Sequence, residues 1–500
     1  MTVIGRRETV AAAVVALLAG TGAGLLPVPT LAVVGAALAI GTAFLAPRLT
    51  AVFAVFAVLF VRPLGHLFPA EGVSYLDEAA VALCVLTMPL RRVASRKPLR
   101  TFPGQWWFAA FLVLGMLSGL MLQVPPSIFL TGAFVTGKGL LLAWAVAQVD
   151  WSERHLLGAA RLGTALILFS LAASAVNLVL PGAWNAVLAS DLNAVEPRSF
   201  LPSLIGPFSH PIDLGQLMAL AAVAIAAWRA TVRKSPFTLA LLVATMAGAV
   251  LTARRTASAS LAAAWLGVQA MVRSTRLLVA IAVSLPLAVV VLAGPVTTVV
   301  QTTYQDYIGK GTPEARTVLT LDSFAVAADH FPAGAGFGRF GSAVAASNYS
   351  PEYLARGYPR IWGLGVTAED GRFLTDTEWP AILGETGFFG AAAFALGLVA
   401  IFRAGRRLFR TARRPLQRWA GLALVGWLVA LLVESVGTVS FTGPPVSGAF
   451  FALLGVVTAL SAIDDATDHA GQAPAGDRAP ADQHDSVRTR VLAQARQSGR

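Results

Sequence analysis

Residues 379–402 read WPAILGETGFFGAAAFALGLVAIF, and residues 403–414 follow as RAGRRLFRTARR. The first stretch carries a single ionisable side chain, Glu385, over a length sufficient to cross the hydrocarbon core as a helix, which takes about 20 predominantly apolar residues. The arginines after it mark the end of a crossing that stays in the cytoplasm. The same unit, an apolar block closed by a short basic or turn-forming gap, recurs along the chain. It predicts helical spans at 9–27, 30–46, 49–68, 75–90, 105–122, 129–149, 156–178, 207–228, 235–252, 256–272, 277–300, 379–402, 419–437 and 446–462. The expected fold class is therefore an all-α polytopic membrane protein of about 14 transmembrane helices (12–14).

Composition agrees. Of 500 residues 56% are hydrophobic and 13% charged, with a mean hydropathy of +0.69, whereas soluble domains carry about 25% charged residues. The net charge of +12 does not point to nucleic acid, because so little chain is left to form a soluble basic face. The basic residues fall instead in short gaps: Arg91, Arg92, Arg96, Lys97 and Arg100 in one, Arg403 to Arg418 in another. With both termini inside, the positive-inside rule is met almost everywhere. Arg6-Arg7 before the first apolar run resembles the start of a signal peptide, but no small-residue cleavage site follows, so a retained first helix is expected. The single cysteine, Cys84, lies in an apolar block, which excludes a disulfide framework and a thiolate metal site.

This layout divides the chain into helices 1–11 over 1–300, a large extracytoplasmic loop domain over 301–378, helices 12–14 over 379–462 and a disordered cytoplasmic tail over 463–500. The tail is rich in Ala, Asp, Gln, Arg and Pro without apolar periodicity. The loop is expected to be ordered, since it holds five of the six tyrosines (Tyr304, Tyr307, Tyr349, Tyr353, Tyr358) and Trp362. Those aromatics have two readings, stacking on sugar faces or packing the core of the loop.

One pair breaks the charge rule. Arg254-Arg255, in LTARRTAS, falls in a gap assigned to the outside. Either the segment 235–272 is miscounted, or the pair binds an anion at the outer membrane face, where guanidinium groups match phosphate oxygens. Around it on the same side stand Arg198 and His210-Pro211 before the eighth span, Arg316 at the start of the loop and DHFPAGAGFGRFG at 329–341. Asp376 and Glu378 close the loop. His210 alone is more often a capping residue than a base, and the glycines alone are turn formers. Inside the spans, Lys138 and Arg62 are costly in lipid and should face the bundle interior. Lys138 either lines a donor tunnel or pairs with a carboxylate such as Glu434, while Asp77 and Glu78 are expected to be solvated at an interface.

Taken in order, Arg198 with His210-Pro211, T-x-x-R-T-A ending at Ala257, Arg316, F-P-x-G-x-G-x-G from Phe331 and D-x-E-W-x-x-x-L-x-E-x-G-x-x-G from Asp376 resemble the O-antigen ligase and Wzy-type polymerase superfamily. The likeness is strongest over about 195–400. It implies a membrane glycosyltransferase of GT-C type at the plasma (inner) membrane. Such an enzyme takes an undecaprenyl-diphosphate-linked glycan donor on the outer face and passes it to a glycan, lipid or protein acceptor. It implies no nucleotide sugar, no cofactor and no metal. Arg255 and Arg316 match the family arginines expected to hold the donor diphosphate, with Arg254 beside them and Arg198, His210 and Lys138 as further substrate contacts. Asp376 and Glu378 stand where a base is expected. Asp376-Thr377 occupies the place where ligases often carry His followed by Asn, which favours a polymerase over a lipid-A-type ligase. Transport of a lipid-linked oligosaccharide or small anion is the competing expectation, although no internal repeat supports it.

Overall fold

The structure is a computed structural model that describes residues 28–70, 72–197, 201–272, 315–367 and 369–472, apart from the side chains of 28–34, 193 and 463–472. Within these the chain is helical and no strand occurs. The helices in order are α1 (Val28–Leu45), α2 (Pro47–Leu67), α3 (Leu76–Ala94), α4 (Gln105–Met121), α5 (Pro126–Ala147), α6 (Glu153–Val179), α7 (Pro181–Leu188) and α8 (Pro211–Thr231). They continue as α9 (Pro236–Leu251), α10 (Arg255–Val272), α11 (Ala315–Asp329), α12 (Ala343–Ser347), α13 (Pro351–Ala355), α14 (Trp379–Thr411), α15 (Pro415–Glu434) and α16 (Ser447–Gln472). Two predicted spans, 9–27 and 277–300, lie outside the described residues, as does 473–500 of the predicted tail, whose first part, 463–472, is helical as the end of α16 and not irregular as expected; every other predicted span coincides with a helix.

Seven of these helices are long and apolar enough to cross a membrane: α2, α3 with the turn before it, α5, α6, α8, α14 and α15. Their starts follow from proline: Pro47, Pro126, Pro211 and Pro415 each open a helix, where the missing N–H costs nothing and the fixed φ is already helical. Large apolar side chains such as Leu117, Leu120, Phe169 and Val243 point outward, which only an apolar surrounding makes favourable.

The centre is a run of aromatic rings. Phe108 and Phe111 of α4 meet Phe394 of α14, Phe394 meets Phe441, and Phe441 meets Phe450 at the start of α16. Phe337 joins from the segment between α11 and α12, with its ring 5.8 Å from that of Phe111. It lies over Gly115, where a β-carbon would come within 2.5 Å of the ring.

Hydrogen bonds define two ends. At one, Arg48 donates to the Asp150 carbonyl, Arg92 and Arg100 reach the backbone at 147–149, and Arg414 lies 4.0 Å from Glu153. At the other, Leu204 N–H donates to Leu251, Glu378 N–H donates to Ser435, and Arg254 donates to the carbonyl of Ala194. The chain runs back and forth between these ends, so the gaps that held most of the basic residues in the sequence share one of them.

Candidate functional site

Between α11 and α12 the chain is fastened to the top of α14, the end nearer Trp379. Ala335 N–H donates to Gly384 at 2.8 Å and Gly336 N–H to Glu385 at 2.9 Å. Ser118 of α4 donates to the Gly334 carbonyl. Gly334 and Gly387 both have positive φ and touch: a β-carbon on Gly334 would lie 2.4 Å from the Gly387 nitrogen. Gly387 interrupts the helical geometry of α14 at that point. Only glycine satisfies both the conformation and the approach. The side chain of Glu385, 1% exposed, completes the joint by accepting from Arg339 N–H, Phe340 N–H and Ser342 Oγ.

Beyond the joint is a small core of its own. Tyr353 and Tyr358 are fully buried, their rings stacked 5.2 Å apart, and Tyr353 accepts the Gly341 N–H. Of the two readings of the loop aromatics, packing holds for these two. Burial pushes both phenols far above their ordinary range. Trp362 is different: 71% of it is exposed. Tyr304 and Tyr307 lie outside the described residues.

This scaffold presents Asp376. Arg316, in the first turn of α11, donates its Nε to Asp376 Oδ2 at 2.7 Å and adds a terminal nitrogen to the same oxygen. The Arg316 guanidinium also lies over the Phe373 ring, 5.3 Å from its centre. Both partners keep about a quarter of their side-chain surface exposed, so the pair stands at an opening. Burial pushes the Asp376 carboxyl above the ordinary aspartate value, and the charges of Arg316 and then Arg254 pull it back without reversing the shift. Arg254 comes from the turn between α9 and α10, where Ala253 has φ +55°. Arg255 is the first residue of α10 and is exposed. The pair does mark a turn between two separate helices, at the Asp376 end of the bundle.

The other predicted residues have other surroundings. Glu378 is 1% exposed and faces inward, accepting from Ser440 N–H at 2.6 Å, Phe441 N–H at 2.9 Å and Thr442 Oγ1 at 2.7 Å. Both of its oxygens hold the segment between α15 and α16. His210 caps α8, its Nδ1 accepting from Ile212 N–H at 3.2 Å. Arg198 lies outside the described residues. Lys138 is buried between Asp77 at 2.5 Å and Glu78 at 2.7 Å. That corrects two expectations: Asp77 is buried rather than solvated, and Glu434 is not the lysine's partner. Glu434 accepts instead from Ser260 of α10 at 2.7 Å. Arg62 turns its guanidinium inward to pair at 2.7 Å with the fully buried Asp213, while 45% of its own side chain stays exposed.

Residue typing alone left Glu385 without a role; its one sequence signal was a place in the E-x-G motif at 385–387, nine residues after Asp376. Among the described residues no three of His, Cys, Asp and Glu gather as metal ligands would. No family model and no curated protein matches the chain.

Proposed function

We propose that this chain is a membrane glycosyltransferase that transfers or polymerises glycan repeat units from an undecaprenyl-diphosphate donor at the outer face of the plasma membrane. The observation that carries this reading is the ion pair of Arg316 with Asp376 at an opening, on the same end of the apolar helical bundle as Arg254 and away from the Arg48, Arg92 and Arg100 cluster. A lipid diphosphate needs that combination. Its tail stays in the bilayer, its charge meets guanidinium groups at the surface, and a carboxylate stands beside it.

In the reaction the acceptor hydroxyl oxygen attacks the anomeric carbon of the donor sugar. The new carbon–oxygen bond forms as the bond from that carbon to the diphosphate oxygen breaks, and the electron pair leaves with the lipid diphosphate. Arg254 and Arg316 stabilise the charge that develops there. The hydroxyl proton passes to Asp376 as general base. Arriving diphosphate competes with Asp376 for the Arg316 guanidinium, which frees the carboxylate when the donor is in place. Arg255 serves at the rim. Glu378 is a positioning residue here, because its oxygens are already occupied by three donors. The departure from His-Asn at 376–377 favours polymerisation over ligation.

The test is to supply the purified protein with an undecaprenyl-diphosphate oligosaccharide in the presence of EDTA. Longer glycan and released lipid diphosphate are expected. Substrate flux across proteoliposomes without any new glycosidic bond would replace this reading with transport. Deleting the gene separates the two enzymes: single repeat units on the acceptor mean a lost polymerase, unattached long chains a lost ligase.

A further inference from the structure

Between α13 and α14 the chain doubles back as a tight loop that carries Trp362. Phe373 N–H donates to the Gly363 carbonyl at 2.9 Å, Gly365 N–H to Asp370 at 2.8 Å and Gly371 N–H to Thr367 at 2.7 Å. Tyr349, packed on the small core beneath, donates its hydroxyl to the Leu364 carbonyl at 2.9 Å. Gly363 has φ +87°, and a β-carbon there would lie 2.2 Å from the Phe373 ring, so only glycine lets the two limbs close. The backbone on either side of Trp362 is thus fixed before any ligand arrives, which lowers the ordering cost of binding to it.

The indole is linked to the Asp376 end through one ring. It meets Phe373 edge to face at 5.3 Å, and Phe373 lies under the Arg316 guanidinium, also at 5.3 Å. Trp362 therefore stands one aromatic ring away from the cation that pairs with Asp376. Arg372 lies over the indole at 5.7 Å, its Nε donating to the Glu369 carbonyl at 3.0 Å. Even with Phe373 at its side and Arg372 on a face, 71% of Trp362 remains exposed. The same loop exposes Glu369, Asp370 and Arg372. Ionised carboxylates are costly in hydrocarbon, so this indole faces water rather than lipid. A pyranose has the matching chemistry, with C–H bonds on one face for the ring and hydroxyls at its rim for a guanidinium.

We propose that Trp362 is the platform of a glycan subsite, on which a pyranose of the lipid-linked substrate stacks while Arg372 donates to its hydroxyls. This rests on the reading of the Asp376 end as the place of transfer. With the diphosphate at Arg316, the sugars lead across Phe373 to the indole. The stacked sugar belongs to the donor's repeat unit or to the end of the acceptor glycan, and the C–H face is the same in both.

Rates of lipid diphosphate release by the purified full chain are measured against donor and, separately, against acceptor concentration. Trp362→Ala is expected to raise KM about three- to tenfold, the order of one aromatic contact, with kcat little changed, and Trp362→Phe to restore most of it. A rise against donor puts the donor's sugars on the ring; a rise against acceptor puts the acceptor's there. Trp106→Ala, which removes a similarly exposed indole at the start of α4, and Arg406→Gln, at an exposed position of α14, leave KM unchanged. An unchanged KM in Trp362→Ala, a loss confined to kcat or an equal rise in Trp106→Ala would overturn the proposal. Calorimetric binding of the same oligosaccharide freed from its lipid reads the subsite without turnover. Binding that depends on Trp362 in a wild-type protein that releases no lipid diphosphate would keep the subsite and discard transfer. Turnover with neither KM nor binding altered in Trp362→Ala would do the reverse.

Discussion

The two ends of the bundle use charge in opposite ways. At the Asp150 end one carboxylate is shared by Lys97, Arg100 and Arg92, and the pairs stand among further arginines with the aqueous surface close by. At the Asp376 end the carboxylates are divided by depth. Glu378 and Glu385 are sealed and bonded to backbone N–H groups, whereas Asp376 meets Arg316 at an opening. The first arrangement keeps its aspartate permanently charged, held at about 2. The second raises its aspartate instead, by burial. A raised carboxylate with a guanidinium beside it suits the proposed transfer of a proton to Asp376 beside a diphosphate.

Breaking the Asp376 end should have the largest effect. Arg316→Ala removes the guanidinium that holds Asp376 Oδ2 and is expected to lower turnover by roughly 10²–10³-fold, the usual loss for one transition-state charge stabiliser, while membrane insertion persists. Wild-type turnover in Arg316→Ala would remove that arginine from the reaction. Next comes the joint. Glu385→Ala leaves Arg339 N–H, Phe340 N–H and Ser342 Oγ without their acceptor. At roughly 1–3 kcal/mol per orphaned buried donor, about 3–5 kcal/mol of stability should be lost, read by thermal unfolding in detergent. An unchanged midpoint would mean that the joint is not what holds the loop.

Sidedness sharpens the comparison further. The single cysteine is buried, so cysteines placed at Trp362 and Ser95 report alone. An impermeant maleimide should label Trp362→Cys in intact cells and Ser95→Cys only after permeabilisation; the reverse pattern would invert the bundle. The smallest effect is on pH. Because burial raises the Asp376 carboxyl above 3.8 and a base must be deprotonated, turnover should be retained at high pH. It should fall as pH drops through a midpoint above that value. A profile flat through the acid range would exclude Asp376 as the base.

Much of this contrast was legible in the sequence, and for a physical reason. A membrane crossing demands a long apolar run and sorts arginine to one side, so the helices and the basic gaps are written directly as composition. The glycines at 334–338 announced a turn, but not that it closes on Gly387, because both the strain and its relief depend on contact between distant segments. Lys138 was legible as a buried cation needing a partner. Which partner was not, since Asp77 reaches it only because α3 and α5 pack side by side. Glu378 looked like a second candidate base from its spacing to Asp376. One turn of chain points it inward to Ser440 and Phe441, and no pattern of residue types reveals that.

The most direct measurement is the rate of undecaprenyl diphosphate release by purified wild-type, Asp376→Asn and Arg406→Gln protein supplied with the same lipid-linked oligosaccharide. Release by wild-type and Arg406→Gln at matching rates, with Asp376→Asn down by about 10²-fold or more, is the expected result. Asp376→Asn turning over at the wild-type rate would contradict the assignment of the chemistry to this end of the molecule.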